Sequence, residues 1–350
     1  MIEVNPVLGI IGGGQLGSML ASAATKLKIK TIILSDDQNA PAKNFCDEII
    51  IADYNNLKKI DDFISKVDFV TFEFENIPFN VLEYISKRKP VYPKPSINQI
   101  VQNRITEKNF VNNQGIKTTD YVLIKNKLDL LNNENMLPAF LKTCTLGYDG
   151  KGQYIINNKD EIDNLNVDFK KEYILEKKIN LKKEISVIIT RFLNNGFLIY
   201  EPIENIHINQ ILNKSAIPAL IDKNIFTQAQ QQAKLLAEKL DYVGTMCIEY
   251  FIDENNNLLL NEIAPRVHNS GHLTINTHNI SQFENHVRAV CDLEKIELKK
   301  NYNAEMINII GEEIKTYRNK SYSKNQFFFD YLKTEIKEKR KMGHLTTIKS

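Results

Sequence analysis

The chain has 350 residues, 43% of them hydrophobic, which at roughly 150 residues per domain suffices for two or three packed domains. Lys+Arg total 45 and Asp+Glu 43, a net charge of +2, which excludes binding to nucleic acid or membrane through bulk charge. With 14 Gly and 10 Pro, the chain is no low-complexity or disordered polymer.

Residues 6–24 carry no charge and approach membrane-spanning length. No Lys or Arg precedes them, as a signal peptide requires, and Gly12-Gly13-Gly14-Gln15 interrupts the run. The stretch therefore reads as a buried strand at 7–11, a glycine turn, and a helix to about Leu27. Strands are predicted at 31–34, 48–51 and 69–73, with a helical pattern through Ile60 and Ile64. That alternation predicts an open, Rossmann-like parallel sheet. The Pro-rich piece at 90–95 closes this first domain, residues 1–98.

Helical sequence resumes near Ser96 and runs to about Asn113. The texture then turns to α+β, with strands predicted at 138–143, 153–156, 173–176, 184–191 and 197–200. A helix at 225–240 precedes strands at 245–253 and 258–264, joined by an Asn-rich turn at 254–257. Ser281 is placed as the N-cap of a helix to Asp292, with Glu284 at capping-box spacing. Residues 300–350 read as short strands and basic turns, and 99–295 and 296–350 are taken as the second and third domains. Cys46, Cys144, Cys247 and Cys291 are far apart, with no Cys-x-x-Cys pair. They read as reduced thiols of a cytoplasmic protein.

Several strings carry chemistry. Gly12-x-Gly14-x-x-Gly17, with Asp36 after the second strand, matches the dinucleotide fingerprint. A tight strand–helix turn explains these glycines equally well. Three glycines and Lys151 within 147–153 make a loop that can close over phosphates; a flexible hairpin is the plain alternative.

A hairpin centred between Asn255 and Asn256 sets Glu249 opposite Glu262 on one face, with Cβ atoms about 5 Å apart. Met246, Ile248, Tyr250 and Ile252 alternate onto the other face. Facing carboxylates repel unless a cation lies between them, and oxygen ligands point to Mg²⁺. The competing reading is a solvated strand face. Asn261 adds a further oxygen only if the strand twists or bulges. The string 264–272, Ala-Pro-Arg-Val-His-Asn-Ser-Gly-His, packs polar residues between apolar segments and marks a site. Zinc is disfavoured there, because the histidines form no compact ligand pair and no Cys is adjacent. The cluster Lys333…Lys339-Arg340-Lys341 is by itself a solvated tail.

Taken in order, these strings resemble the ATP-grasp superfamily, and within it the 5-(carboxyamino)imidazole ribonucleotide synthases. The resemblance covers nearly the whole chain: Gly-Gly-Gly-Gln-Leu-Gly at 12–17, Glu-Phe-Glu-Asn-Ile-Pro at 73–78, Gly-Tyr-Asp-Gly-Lys-Gly-Gln at 147–153, the 261–272 string, Ser-Gln-Phe-Glu at 281–284, and Arg-Lys-Met-Gly-His at 340–344. It implies an ATP-grasp fold behind a Rossmann-like N-terminal domain, with an ATP lid at about 115–180 and a small β-rich C-terminal domain. It also implies a cytoplasmic homodimer that carboxylates 5-aminoimidazole ribonucleotide (AIR). The reaction would use ATP, bicarbonate and two Mg²⁺ ions, by way of carboxyphosphate, in purine biosynthesis. Other ATP-grasp ligases (a formate-dependent glycinamide ribonucleotide transformylase, a biotin-carboxylase-like enzyme) and an NAD(P)-dependent oxidoreductase are the alternatives.

By the same resemblance, Arg104 and Lys142 contact ATP phosphates under the lid loop Gly147, Tyr148, Asp149, Gly150, Lys151, Gly152 and Gln153. Glu176, Lys177, Lys178 and Ile179 form the adenine hinge, Glu184 takes the ribose hydroxyls, and His207 lies near the nucleotide. Glu249 and Glu262 match the Mg²⁺ ligands, with Asn261 at the adjoining nucleotide position. Arg266, His268, Asn269 and Ser270 match the bicarbonate and carboxyphosphate site. Tyr148 and Asp149, with Glu73, reach the aminoimidazole, while Lys333 and Arg340 bind the 5′-phosphate. There are departures. Leu146 stands where the family commonly has Gly, Leu273 where it has Trp, and the family commonly continues beyond the region of His344.

Overall fold

The structure is a computed structural model that describes residues 6–147 and 152–349. In its first sheet, β1 (Val7–Ile11), β2 (Lys30–Ser35), β3 (Glu48–Ile51) and β4 (Phe69–Phe72) lie parallel in the order β3-β2-β1-β4. Helix α1 (Gln15–Lys26) packs on Leu8 and Ile10, and α2 (Leu57–Lys66) is in the cluster with Ile11. Coverage of both faces is why β1 is a continuous apolar run. Helix α3 (Phe79–Ser86) completes this layer.

The predicted helix from Ser96 to Asn113 is two helices, α4 (Pro95–Val101) and α5 (Arg104–Asn113). Asn103 breaks it: its side-chain oxygen accepts from the amides of Ile105 and Thr106 and caps α5. Arg104 is thereby held at the helix start.

A second, antiparallel sheet has the order β5-β8-β6-β7. It contains β5 (Tyr121–Ile124), β6 (Ala139–Thr143), β7 (Gln153–Ile156) and β8 (Tyr173–Lys177). Helices α6 (Lys127–Asn132) and α7 (Lys159–Asp163) close its core through Leu130 and Ile162.

The third sheet is nine-stranded among the described residues. Its strands are β9 (Leu181–Arg191), β10 (Phe197–Ile199), β11 (Ile203–Ile208), β12 (Ile211–Ile217), β13 (Gly244–Asp253), β14 (Leu258–Ala264), β15 (Asn303–Ile310), β16 (Gln326–Asp330) and β17 (Lys341–Lys349). The order is β14-β13-β9-β11-β12-β15-β17-β16, with β10 on β9. Under it lies α8 (Lys223–Lys239), whose Ala229 and Ala233 let it approach Met246, Ile248 and Tyr250 of β13. The short α9 (Thr274–Thr277) leads to α10 (Gln282–Val290), where Ser281 does accept from the amide of Glu284. The carboxylate of Glu284 turns instead to Arg288, so only half of the capping box forms.

Residues 300–350 are more regular than short strands and basic turns. β15 and β17 run for eight and nine residues around the short helix α11 (Glu313–Arg318), and β15 extends the large sheet by pairing with β12. Backbone pairing across three strands supplies an order that local sequence texture does not report. No described helix is long and apolar enough to cross a membrane.

His286 of α10 ties the first sheet to the third. Its Nδ1 accepts from the amide of Thr245 at 3.0 Å, and its Nε2 lies 2.7 Å from the hydroxyl of Thr71. Burial holds its pKa down at about 4, and that of His278 also at about 4. A depressed histidine is neutral in the fold but protonates in the unfolded chain below the ordinary 6.5. Stability is therefore expected to fall as pH drops from about 6.5 toward 4, by on the order of 2 kcal/mol at pH 5 from His286 alone. Urea midpoints at pH 7 and pH 5 check this; an unchanged midpoint contradicts it.

Candidate active site

Segments from all three sheets enclose a cavity of about 1210 Å³. On its floor Glu249 of β13 pairs with Glu262 of β14, as predicted, but by a different route. Near the turn Tyr250 pairs with Leu260, one residue out of the expected register, and a bulge at Asn261 restores the Glu249–Glu262 pairing. The bulge leaves the Asn261 side-chain oxygen buried without a hydrogen-bond partner. Two carboxylates and an orphaned amide oxygen make a donor set of the kind a hard divalent cation takes. Burial and the charge of Glu262 push the Glu249 carboxyl well above its usual range, and the same two causes act on Glu107 of α5. Glu107 accepts from the amide of Ile263 at 2.6 Å.

Positive groups rim this floor. Arg104 pairs with Glu262 at 3.1 Å. Lys142 of β6 pairs with Glu176 of β8 at 2.7 Å, and buried Lys108 lies 3.6 Å from the other Glu176 oxygen. Burial pushes Glu176 up, but Lys142 and Lys108 outweigh it and hold the carboxyl at about 2. The Glu176 side chain is thus a strut for two lysines, while Lys177, Lys178 and Ile179 also face the cavity. Glu184 forms an ion pair with His207, and both line the cavity beside Gln153 and Gly147. Gly152, with φ +70°, packs against Thr143 outside the lining. Tyr148, Asp149, Gly150 and Lys151 lie outside the described residues. Leu146 stands at φ +59° and is 71% exposed, a conformation glycine adopts at lower cost. Leu273 is buried in an apolar cluster with Ile188 and Tyr200.

At the far end Arg266 forms an ion pair with Glu75. Burial works against the Arg266 charge, but Glu75 outweighs it and keeps the guanidinium protonated. His268 faces Glu249, Nε2 to Oε1 at 3.2 Å, and burial, with Arg266 nearby, holds the imidazole neutral. Asn269 exchanges two amide hydrogen bonds with Asn308 of β15, at 3.0 and 2.6 Å. Lys333 donates to the Lys341 carbonyl and Arg340 to that of Glu335, both lining the cavity. Ser270 is different: it is fully buried behind His268 and is not part of the lining.

Glu73 explains the glycine motif. Its carboxylate accepts from the amide of Gly14 at 2.7 Å and that of Gly17 at 3.1 Å. The amides that would cradle a dinucleotide pyrophosphate are occupied by a carboxylate of the same chain, which removes the basis for the oxidoreductase alternative. Glu107 and Lys108 escaped the sequence reading, and Glu75 and Lys341 stood inside quoted strings with no role assigned. Glu107 and Lys108 sit in an ordinary-looking helix, and no local signal marks them.

An antiparallel sheet and a large mixed α/β body, closing on a cleft with a carboxylate pair and phosphate-sized positive groups, define an ATP-grasp ligase. Family models agree: residues 6–102 match the ribonucleotide synthetase preATP-grasp domain, 109–283 the ATP-grasp domain, and 304–350 the phosphoribosylaminoimidazole carboxylase C-terminal domain. The chain is 38% identical to the N5-carboxyaminoimidazole ribonucleotide synthase of Bacillus subtilis, over 100% of its own length and 93% of the relative's. The crystal structure of the Staphylococcus aureus synthetase complexed with ADP superposes with TM-score 0.92 at 35% identity, over 99% of this chain and 93% of that one. The Aspergillus clavatus synthase in complex with ADP and 5-aminoimidazole ribonucleotide gives 0.90 at 27% identity, over 99% and 94%. The chain belongs to the N5-carboxyaminoimidazole ribonucleotide synthase family, ATP-dependent ligases that carboxylate AIR in purine biosynthesis.

Proposed function

We propose that this protein joins bicarbonate to the amine of AIR through carboxyphosphate, releasing ADP and phosphate. The observation that carries this reading is the gathering of four kinds of group in one cavity: the Glu249–Glu262 pair, the cations Arg104 and Lys142, the pair Arg266 and His268, and the distal pair Lys333 and Arg340.

In this reading the backbone of 176–179 holds adenine, Glu184 takes the ribose hydroxyls with His207 beside it, and Asn261 closes the nucleotide site. Arg104 and Lys142 steady the phosphates under the 147–153 loop with its Lys151. Glu249 and Glu262 would hold two Mg²⁺ ions, which when bound neutralise charge on the transferring phosphoryl group. A bicarbonate oxygen, held by Arg266 and Asn269, attacks the γ-phosphorus as the bond to ADP breaks. Carboxyphosphate then releases CO₂ and phosphate, and the AIR amine captures the CO₂ carbon and loses a proton. By the resemblance, Tyr148 and Asp149, with Glu73, reach the aminoimidazole. Lys333 and Arg340 hold its 5′-phosphate, as a cationic pair suits a dianion.

Phosphate release with ATP, Mg²⁺ and bicarbonate, with and without AIR, tests the reading. AIR is expected to stimulate release and to become carboxylated; neither happening overturns it. Arg340→Ala is expected to raise the KM for AIR about tenfold or more while the KM for ATP moves little. An unchanged KM for AIR would return this cluster to a solvated surface. A cytoplasmic homodimer is what the resemblance implies, and light scattering tests the dimer. The division at 1–98, 99–295 and 296–350 is supported by the spans of the three family matches.

A further inference from the structure

Behind His268 runs a line of buried polar side chains that the reaction itself leaves unexplained. Ser215, Ser186 and Ser270 are fully buried and Asn205 nearly so. Ser215 Oγ donates to Asn205 Oδ1 at 2.8 Å, and Asn205 Nδ2 donates to Ser186 Oγ at 2.9 Å. Ser186 Oγ lies 2.8 Å from Ser270 Oγ, which lies 2.9 Å from His268 Nδ1. The line crosses three strands, β12, β11 and β9, before it reaches the segment after β14.

Its direction can be read. The amide of Ser270 points at His268 Nδ1 from 3.3 Å. A backbone N–H can only donate, so Nδ1 carries a lone pair. With Nδ1 bare, the Ser270 hydroxyl donates to it, so the bond between the two serines is donated by Ser186, whose Oγ also accepts from Asn205. Every donor in the line therefore points toward the histidine. Cys247 Sγ, 3.9 Å from Ser270 Oγ, is a weak partner and competes little. A neutral imidazole has one N–H, and here it must be on Nε2, the nitrogen 3.2 Å from Glu249.

We propose that Ser270 and Ser186, backed by Asn205 and Ser215, are positioning residues that lock His268 as the Nε2–H tautomer, so that it meets Glu249 and the cavity as a hydrogen-bond donor. In the carboxylation reading, on which this rests for its purpose, a fixed N–H suits anionic bicarbonate and carboxyphosphate oxygens. Ser270, matched by resemblance to the substrate site, then acts through His268 rather than on substrate. The line also accounts for three serines and an asparagine kept in the buried interior, since each is paired.

The test has two arms. Long-range ¹⁵N–¹H correlation of the wild-type protein labelled at histidine, with His268→Gln identifying the signal, reads the tautomer directly. A protonated Nε2 and bare Nδ1 are expected; an Nδ1–H tautomer overturns the proposal whatever reaction the protein catalyses. In the second arm, Ser186→Ala, which touches neither His268 nor the cavity, is expected to lower kcat for AIR-stimulated phosphate release on the order of tenfold, with the KM for ATP within about twofold. Ser186→Thr keeps the hydroxyl and is expected to recover most of the rate. Unchanged kcat in a folded Ser186→Ala, as judged by circular dichroism, also overturns the proposal. If AIR stimulates nothing in wild type, the carboxylation reading fails, while the spectroscopic arm still decides the tautomer.

Discussion

Glu262→Gln is expected to give a folded protein whose ATP turnover falls roughly a thousandfold, the scale on which pre-set electrostatic stabilisation acts. The argument starts from the hairpin. Glu249 and Glu262 face each other across β13 and β14, and burial plus mutual repulsion drive the Glu249 carboxyl above its usual range. That repulsion is useful only when a cation relieves it. A neutral amide keeps the shape but removes the charge that would draw the cation. Fold stability should barely suffer, because the ion pair lost to Arg104 involves a carboxylate with 36% of its side chain exposed, and such pairs contribute about 0–1 kcal/mol. Relief of repulsion on Glu249 and Glu107 works the other way. The stabilisation that Mg²⁺ and ATP confer on the wild-type protein should shrink: ligand at about a hundred times its Kd gives about 2.7 kcal/mol, and a lost site gives none. Phosphate release and melting temperature, each with and without Mg²⁺ and ATP, check both halves. Near-normal turnover in Glu262→Gln would remove this residue from the cation site.

The same hairpin shows what sequence can carry. Alternation of Met246, Ile248, Tyr250 and Ile252 put Glu249 on the opposite face, and a symmetric turn put Glu262 across from it. The turn register was off by one, yet the bulge at Asn261 compensated, and that bulge is what frees the asparagine oxygen. Periodicity reports which face a residue occupies; it does not report an inserted residue, whose cost depends on what the site needs. Elements set by local pattern, such as β1 and α8, were legible. The break at Asn103 was not, because a capping asparagine inside an apolar-periodic stretch looks like any polar helix position until its amide partners are known. Least legible were groups whose meaning is wholly tertiary. Glu107 reaches the amide of Ile263, Glu75 reaches Arg266, and Ser215, Asn205 and Ser186 align only because β12, β11 and β9 are neighbours. The family resemblance assigned roles to cavity residues and none to these supporting ones.

The glycine turn yields the second large effect, on stability. Gly12→Ala is expected to cost about 3 kcal/mol. Gly12 has φ +102°, which opposes any side chain by about 1–2 kcal/mol, and its added Cβ would stand 2.6 Å from Glu73 Cγ. For a chain of 350 residues that lowers the melting temperature by roughly 4 °C. Gly14→Ala separates the two causes. Its backbone is extended and unstrained, and its Cβ would meet Glu73 Oε1 at 2.7 Å. Glu73→Ala alone strands the amides of Gly14 and Gly17 that its carboxylate now accepts from. Once the carboxylate is gone, however, the Gly14→Ala methyl has room. The double variant should therefore be more stable than the sum of the singles predicts, by about 1–2 kcal/mol. Urea denaturation of the four proteins closes that cycle, and strict additivity would mean that the glycines serve the turn alone. The cycle also weighs the two readings of one motif. In a dinucleotide site the glycines make room for a ligand's phosphate, and their coupling to Glu73 would be incidental. Here they make room for a carboxylate from β4's own exit, which holds Glu73 at the cavity wall at a cost in buried charge that the two amides partly offset.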